Sequence, residues 1–256
     1  MGIKLSICGK GGSGKSTLTS LLAKQAQENG LKVVVVDSDE SNSELYRTLG
    51  FQHPPESLMA LVGGKKAIKD KMNHPNIFVE PRIELKDIPA DYKAKQNGLT
   101  LLSVGKINQA IEGCACPMGV LNREFLKKLR LDNNTIALVD MEAGIEHFGR
   151  GVDAQMDVII LVVEPSNESL SIAYKIKELA AGVGKNLFAV LNKVNSDELA
   201  KRLENSLGQK KIDVIGAIPN DPEVFEAGLD GRPIGACQST LVVKRIFQKL
   251  SSNMVL

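Results

Sequence analysis

The fold of this chain is decided by the stretch Gly9-Lys10-Gly11-Gly12-Ser13-Gly14-Lys15-Ser16, which joins a short apolar run to a segment of helical periodicity. Between a strand and a helix, the pattern G-x-x-x-x-G-K-S is typical of a phosphate-binding loop. Glycines let backbone N–H groups turn around an anion, and the start of the helix adds partial positive charge. We therefore predict that Lys15 contacts the β- and γ-phosphates of a nucleotide and that Ser16 binds Mg²⁺. The rest of the cradle is predicted to consist of Gly9, Gly11, Gly12, Ser13, Gly14 and Thr17.

Composition narrows the class of protein. The chain has 256 residues, 43% of them hydrophobic, which suits one sizeable α/β domain spanning residues 1–256. A net charge of +2 and the lack of tryptophan argue against a nucleic-acid partner. The sequence shows no signal peptide and no apolar run long enough to span a bilayer, and its four cysteines do not suggest a disulfide scaffold. We expect a cytoplasmic protein with no membrane segment.

Runs of β-branched and other apolar residues alternate with helical patterns along most of the chain. Such runs predict buried parallel strands, and the alternation predicts a doubly wound sheet with helices on both faces. We expect an α/β fold with a mostly parallel sheet of about seven or eight strands, as in P-loop NTPases. The predicted strands cover residues 3–8, 32–37, 99–104, 135–140, 158–163, 186–191 and 213–218. Residues 52–96 break this rhythm, and only short helices at 57–62 and 65–72 are predicted there.

A second lysine, Lys10, directly follows the first glycine of the loop. One phosphate cradle does not need two lysines from one chain. The pattern K-G-G-x-G-K-S resembles the deviant Walker A motif of the class that contains the nitrogenase iron protein, MinD and ParA. The resemblance implies a homodimer that closes over two ATP molecules, with Lys10 reaching the nucleotide of the partner subunit.

Carboxylates follow two of the predicted strands. Asp140 ends an apolar strand, as expected of a Walker B residue that holds the Mg²⁺ shell. Asp39 matches the switch I aspartate of the class, which can orient or deprotonate the attacking water and contribute to the Mg²⁺ site. Asp37 competes for this role, and we favour Asp39. Gly144, soon after Asp140, marks a candidate switch II.

Two further loops suit recognition of the base. Asn192 and Lys193 follow the sixth predicted strand, and an asparagine side chain can donate to and accept from an adenine edge. The stretch Pro219-Asn220-Asp221, after the seventh strand, resembles the loop that packs on adenine in this class. The pattern N-K-x-D that selects GTP is absent, so ATP or ADP is the expected nucleotide.

Cys114 and Cys116 form a C-x-C pair, with Gly113 and Pro117 indicating an exposed turn around it. Two thiolates do not complete a four-coordinate site, but a two-fold axis beside this loop would supply two more. The pair is therefore predicted to be half of a metal site at a dimer interface. A redox pair and two incidental loop cysteines remain the alternatives.

The phosphate-binding loop, the C-x-C segment and residues 140–151 together resemble CooC-type ATPases, which serve nickel insertion into carbon monoxide dehydrogenase. The resemblance covers nearly the whole chain, least clearly residues 52–96. It implies Mg-dependent hydrolysis of ATP involving Lys10, Lys15, Asp39 and Asp140. It also implies Ni²⁺ or Zn²⁺ bound by Cys114 and Cys116 across a homodimer, and a client nickel enzyme such as carbon monoxide dehydrogenase or acetyl-CoA synthase.

Three alternatives belong to the same class. A cluster scaffold ATPase of the Mrp type should carry a C-x-x-C motif near its C-terminus, where only Cys237 is present. An electron donor like the nitrogenase iron protein should carry a second cluster cysteine just after switch II, and residues 144–151 contain none. A positioning ATPase like MinD should end in an amphipathic membrane anchor. The last helix does have an apolar face that includes Leu241 and Ile246, but packing of that face on the sheet is the favoured interpretation.

Overall fold

The computed structural model describes residues 2–42, 44–71, 77–106 and 116–254, and a single eight-stranded sheet organises them. The strands are β1 (Ile3–Gly9), β2 (Lys32–Asp37), β3 (Ala94–Gln96), β4 (Leu99–Ser103), β5 (Thr135–Asp140), β6 (Val158–Val163), β7 (Asn186–Val194) and β8 (Asp213–Pro219). Their order is β3-β4-β2-β5-β1-β6-β7-β8, and only the pairing of β3 with β4 is antiparallel.

The strand order places the start of the chain at the centre of the sheet. β1 pairs in parallel with β5 on one side and with β6 on the other. The chain winds first toward β4 and later toward β8, so the strand order reverses beside β1. Ligands of doubly wound sheets bind at the carboxyl ends of the strands at such a reversal. The phosphate-binding loop lies at this point because it directly follows β1.

Helices cover both faces of the sheet. The helices are α1 (Lys15–Glu28), α2 (Leu45–Thr48), α3 (Leu58–Leu61), α4 (Gly64–Lys71), α5 (Cys116–Lys128), α6 (Glu146–Gly149), α7 (Asn167–Gly182), α8 (Asp197–Gly208), α9 (Pro222–Asp230) and α10 (Gln238–Met254). One apolar core joins the sheet to α1 and α10, and the other joins it to α5, α7 and α8. Neighbouring residues along each strand enter opposite cores: Ala137 and Val139 contribute to one core, and Ile136 and Leu138 to the other.

Serine and aspartate side chains set where the later helices begin. Ser166 accepts a hydrogen bond from the Ser169 backbone at the start of α7, and Ser196 accepts one from Leu199 at the start of α8. Such caps satisfy backbone N–H groups that the first helical turn leaves without partners. The helices are thereby fixed at the carboxyl ends of β6 and β7.

The predicted fold class is confirmed, with differences at the edges. All seven predicted strands are present, and the eighth, β3, comes from the segment for which the sequence predicted only short helices. That segment also forms α3 and α4, close to the predicted short helices, although Met72 lies outside the described residues. Its Ile68, Ile83 and Ile88 are buried in the core that contains α5, so the segment forms part of the domain interior.

The last helix, α10, packs on the sheet, as expected. Ile246 and Leu250 are buried in the core with α1, whereas Leu241 is 61% exposed. In the described part of the chain, no helix combines the length and the apolar character that crossing a bilayer requires.

Candidate nucleotide-binding site

The loop between β1 and α1 has the backbone shape of an anion cradle. Gly9, Gly12 and Gly14 adopt φ values of +146°, +76° and +98°, which residues with a Cβ rarely adopt. A Cβ at Gly9 would lie 2.5 Å from the carbonyl oxygen of Val162 on β6. Lys15 begins α1 and is only 6% exposed, so its ammonium group belongs to the site rather than to solvent.

Asn192 supports this loop from β7. Its Nδ2 donates a 2.8 Å hydrogen bond to the carbonyl oxygen of Ser13, and a Cβ added at Gly14 would overlap Nδ2. The sequence placed Asn192 and Lys193 after the strand, which is wrong. β7 continues to Val194, and its pairing with β8 is irregular between Leu191 and Val194, where Lys193 has φ +58°.

We expect the Gly14→Ala variant to lose at least about tenfold in nucleotide affinity. The new methyl group would push Asn192 away from the loop, and alanine would be strained at the positive φ of this position. Isothermal titration with MgADP measures the loss, with Gly30→Ala as the control. Gly30 also has a positive φ, but its Cβ would meet nothing, so its variant tests backbone strain alone. Unchanged affinity of the Gly14 variant would contradict this role for the contact.

The Glu164 carboxylate binds two lysines on the outer side of the phosphate-binding loop. Glu164 forms an ion pair of 2.9 Å with Lys10 and another of 3.2 Å with Lys193. Glu168 lies 3.4 Å from Lys10, and the Lys193 ammonium also donates to the carbonyl oxygen of Gly12 at 2.6 Å. In this single chain, Lys10 is therefore held against its own subunit.

The first turn of α1 is joined to the end of β5. Ser16 Oγ donates a 2.6 Å hydrogen bond to Asp140 Oδ2, and Thr19 Oγ1 lies 3.4 Å from the other carboxylate oxygen. Thr17 lies in the same turn and is half-buried. Asn42, which the sequence did not single out, donates from Nδ2 to Ser16 Oγ at 2.7 Å. Ser16 thus joins the phosphate-binding loop, the end of β5 and the loop after β2.

Three carboxylates gather at this end of the sheet. Asp37 and Asp140 are neighbours in the pairing of β2 with β5, and Asp39 is 7% exposed in the loop that follows. Burial raises the pKa of Asp140 to about 7, and the negative charge of Asp37 adds to this effect. Burial also raises the pKa of Asp37 to about 6, while the Lys106 ammonium opposes the rise.

The chemistry of these groups fits a hard divalent cation. Ser16, Asp39 and Asp140 offer oxygen donors, which Mg²⁺ prefers. Within the part of the chain that the structure describes, no group donates a hydrogen bond to the buried Oδ1 of Asp37. A cation held here would offset the mutual repulsion of the carboxylates, which is part of the reason for their raised pKa values.

Asp221, one of the predicted base-binding residues in the loop after β8, has a structural role. Asp221 Oδ1 accepts from the backbone N–H of Glu223 and caps α9, and Oδ2 accepts from Ser239 at the start of α10. The backbone N–H of Asn220 donates to Val194 at the end of β7, which brings the two predicted base-binding loops together. Pro219 is the last residue of β8, not the first residue of the loop as predicted, and the role of Pro219 and Asn220 in binding adenine stays a prediction.

The predicted metal-binding cysteines are only partly described. Cys114 lies outside the described residues. Cys116 is exposed at the start of α5, and its sulfur is disulfide-bonded, so it must be reduced before it can bind a metal. Pro117 is buried in the first turn of α5, where proline is tolerated, so it belongs to a helix and not to the predicted exposed turn. Residues 113–115 of that predicted turn lie outside the described residues. Among the described residues, no group of three or more His, Cys, Asp or Glu side chains could hold a metal.

The segment after β5 connects the site to α5. Gly144 has φ +92° and donates its backbone N–H to Gly9. Glu142 forms an ion pair with Arg150, whose side chain lies against Gly119 of α5. From the other side, Asn122 of α5 donates to Ser38 Oγ in the loop after β2. Both loops around the carboxylates therefore contact the helix that begins at Cys116.

Comparisons with known proteins agree with this arrangement. An uncharacterized ATP-binding protein of Methanocaldococcus jannaschii is 42% identical over 238 residues, which cover 91% of this chain and 94% of that protein. The carbon monoxide dehydrogenase accessory protein CooC of Rhodospirillum rubrum is 32% identical over 238 residues, which cover 90% and 88% of the two chains. The solved structure of the septum site-determining protein MinD of Pyrococcus horikoshii, complexed with Mg-ADP, shares the fold. Its TM-score is 0.74 at 20% identity, with 99% of this chain and 97% of that chain covered.

The family model described as CobQ/CobB/MinD/ParA nucleotide binding domain matches residues 6–234. That range contains the second half of β1, all of β2 to β8 and every candidate nucleotide-binding residue described above. The chain therefore belongs to the CobQ/CobB/MinD/ParA family of nucleotide-binding domains.

Proposed function

We propose that this protein is an ATPase that binds ATP or ADP with Mg²⁺. The observation that carries the proposal is the hydrogen bond from Ser16 to Asp140, in a cluster that also contains Asp37 and Asp39 at the carboxyl ends of the central strands. Mg²⁺, when bound with the nucleotide, would neutralise negative charge on the phosphates. Ser16, Asp39 and Asp140 would hold this ion, directly or through water.

Other residues around the phosphate-binding loop are proposed to bind the phosphates and adenine and to activate the attacking water. Lys15 and the loop glycines bind the β- and γ-phosphates, and Asp39 orients or deprotonates the attacking water. Asn192 and the loop at Pro219 and Asn220 form the binding site for adenine. The 2.8 Å bond from Asn192 to the Ser13 carbonyl supports this placement, because it puts the amide beside the loop.

We propose that the active form is a homodimer, closed over two nucleotides by Lys10 of each subunit. The position of Lys10 at the open side of the loop supports this role. Lys10 can leave its present partners, Glu164 and Glu168, because solvent-screened ion pairs contribute little to stability.

We further propose that the dimer is a metallochaperone that carries Ni²⁺ or Zn²⁺ to a nickel enzyme such as carbon monoxide dehydrogenase. Two observations support this: the 32% identity to CooC, and the contacts of α5 with both loops around the carboxylates. Because α5 begins at Cys116, nucleotide-driven movement of either loop would shift a predicted metal ligand. Soft thiolates accept both metals.

The metal is tested by anaerobic titration of the reduced protein with Ni²⁺ and Zn²⁺, followed by sizing. We expect one metal per dimer, bound by the wild type and lost in Cys114→Ala/Cys116→Ala, because the two pairs of thiolates complete one site. The matched control is Cys237→Ala, which removes a free cysteine elsewhere and should keep the metal. ATP binding should survive in all three proteins.

The other possible results separate the alternatives. No cysteine-dependent metal, with ATP hydrolysis intact, would refute the metallochaperone and favour a positioning ATPase. About four irons per dimer would instead indicate one shared iron–sulfur cluster and an electron donor.

A further inference from the structure

Lys106 connects three groups around the loop after β2, although it follows a different strand, β4. Its Nζ lies 2.6 Å from Asp37 Oδ2 and 2.5 Å from the backbone carbonyl oxygen of Asp39, and it also donates to the carbonyl oxygen of Asn42. An ammonium group has three N–H donors, and all of them are matched here. The Lys106 side chain is only 17% exposed.

These contacts fix the loop at both ends of its functional part. Asp39 accepts hydrogen bonds at Oδ1 from the backbone and the hydroxyl of Ser41, and Asn42 donates to Ser16. With the carbonyl groups of Asp39 and Asn42 turned toward Lys106, the side chains of the same two residues are free to face the nucleotide site. Without the ammonium, two inward carbonyl groups and a buried carboxylate would lose their donor.

Lysine suits position 106 better than arginine would. A lysine presents a compact charge with donors spread around it, whereas an arginine presents a flat fork suited to a single carboxylate. The positive charge of Lys106 also stays in place when a magnesium-bound nucleotide leaves, and it then offsets part of the repulsion around Asp37.

We infer that Lys106 is a positioning residue for ATP hydrolysis, which holds the loop of residues 37–42 so that Asn42 contacts Ser16 and Asp39 stays beside the carboxylate cluster. The inference rests on the proposed ATPase function. The three ammonium donors of Lys106 are already matched by Asp37, Asp39 and Asn42, so we expect Lys106 to act on turnover rather than on nucleotide affinity.

The test uses Lys106→Ala and Lys106→Met, with Lys95→Ala, an exposed lysine on β3, as the matched control. We expect kcat to fall about 20-fold or more in both Lys106 variants, because small errors in placing a reacting group cost this much or more. The Kd for ATP should stay within threefold, and Lys95→Ala should behave as wild type.

Chemical rescue sharpens the test. A cavity of about 330 Å³ borders Lys106 and Asp37, so ethylamine can enter the space that Lys106→Ala leaves. We expect ethylamine to raise kcat of Lys106→Ala at least about fivefold. It should not rescue Lys106→Met, whose side chain fills the same space, or change the wild type.

A second readout does not depend on hydrolysis. In the nucleotide-free protein, amide hydrogen exchange at residues 38–42 should be at least about tenfold faster in Lys106→Ala than in Lys95→Ala, with residues 33–36 of β2 unchanged. If the wild type hydrolyses no ATP but exchange at residues 38–42 is still faster in Lys106→Ala, the proposed ATPase function is refuted. The structural part of the inference, that Lys106 holds this loop, then stands. A kcat within threefold of wild type, a Kd that rises as much as kcat falls, or equal exchange at residues 38–42 would overturn the inference.

Discussion

Replacing Asp39 with asparagine is expected to lower the rate of ATP hydrolysis about 100-fold or more, with the affinity for ATP in the absence of Mg²⁺ within threefold of wild type. Asparagine keeps an oxygen that can accept from Ser41, so the loop should retain its shape. It loses the negative charge that orients and polarises the attacking water. Single-turnover release of phosphate measures the chemical step apart from binding.

The matched control is Asp37→Asn, two positions earlier. Asp37 is tied to Lys106 through Oδ2, and an amide oxygen can still accept that hydrogen bond. We expect this variant to lose no more than about tenfold in rate, a loss in keeping with a supporting contact. The reverse ranking, with Asp37→Asn inactive and Asp39→Asn active, would transfer the proposed role to Asp37.

Replacing Lys10 with alanine is expected to lower ATP hydrolysis by about 100-fold or more and to abolish ATP-dependent dimer formation. A cation supplied from a partner subunit stabilises charge in the transition state and is worth at least this much in related phosphoryl transfers. The affinity of the monomer for ADP should stay within threefold, because Lys10 faces Glu164 and Glu168 of its own chain. Sizing with a non-hydrolysable ATP analogue and titration with ADP measure the two effects separately.

Lys193→Ala is the control for this variant. Lys193 shares Glu164 with Lys10 but also contacts Gly12 of its own loop, so its loss should weaken ADP binding without abolishing the dimer. Equal losses of binding, dimer formation and hydrolysis in Lys10→Ala would contradict a role in the partner's site.

The sequence predicted the centre of the sheet well for a physical reason. β2 contains four consecutive buried valines, and β6 consists entirely of buried valine, isoleucine and leucine; few other structures accommodate such runs. β3 was missed because its three residues, Ala94, Lys95 and Gln96, have no strand character. Its place is set by the antiparallel pairing with β4, not by its own sequence.

The site was predictable only where a motif fixes local geometry. The loop from Gly9 to Ser16 carries its own signature, whereas Asn42 and Lys106 are common polar residues. They meet because β2 and β4 are neighbours in the sheet, a contact between residues far apart in the chain. A useful signal was available: a polar residue shortly after a buried parallel strand lies at the ligand-binding edge. Asn192 shows the limit of this rule, since it contacts the phosphate-binding loop from within β7 and not from the loop after the strand.

The contact between Gly119 and Arg150 has a consequence for how related sequences vary. A Cβ at Gly119 would overlap the Arg150 side chain, which Glu142 holds in place. Relatives with a larger residue at position 119 should therefore have a shorter one at position 150, and the glutamate at 142 should then be free to change as well. Related proteins that keep this combination at positions 119, 142 and 150 should keep the contact between the segment after β5 and α5. Relatives in which the three positions change together should have lost it.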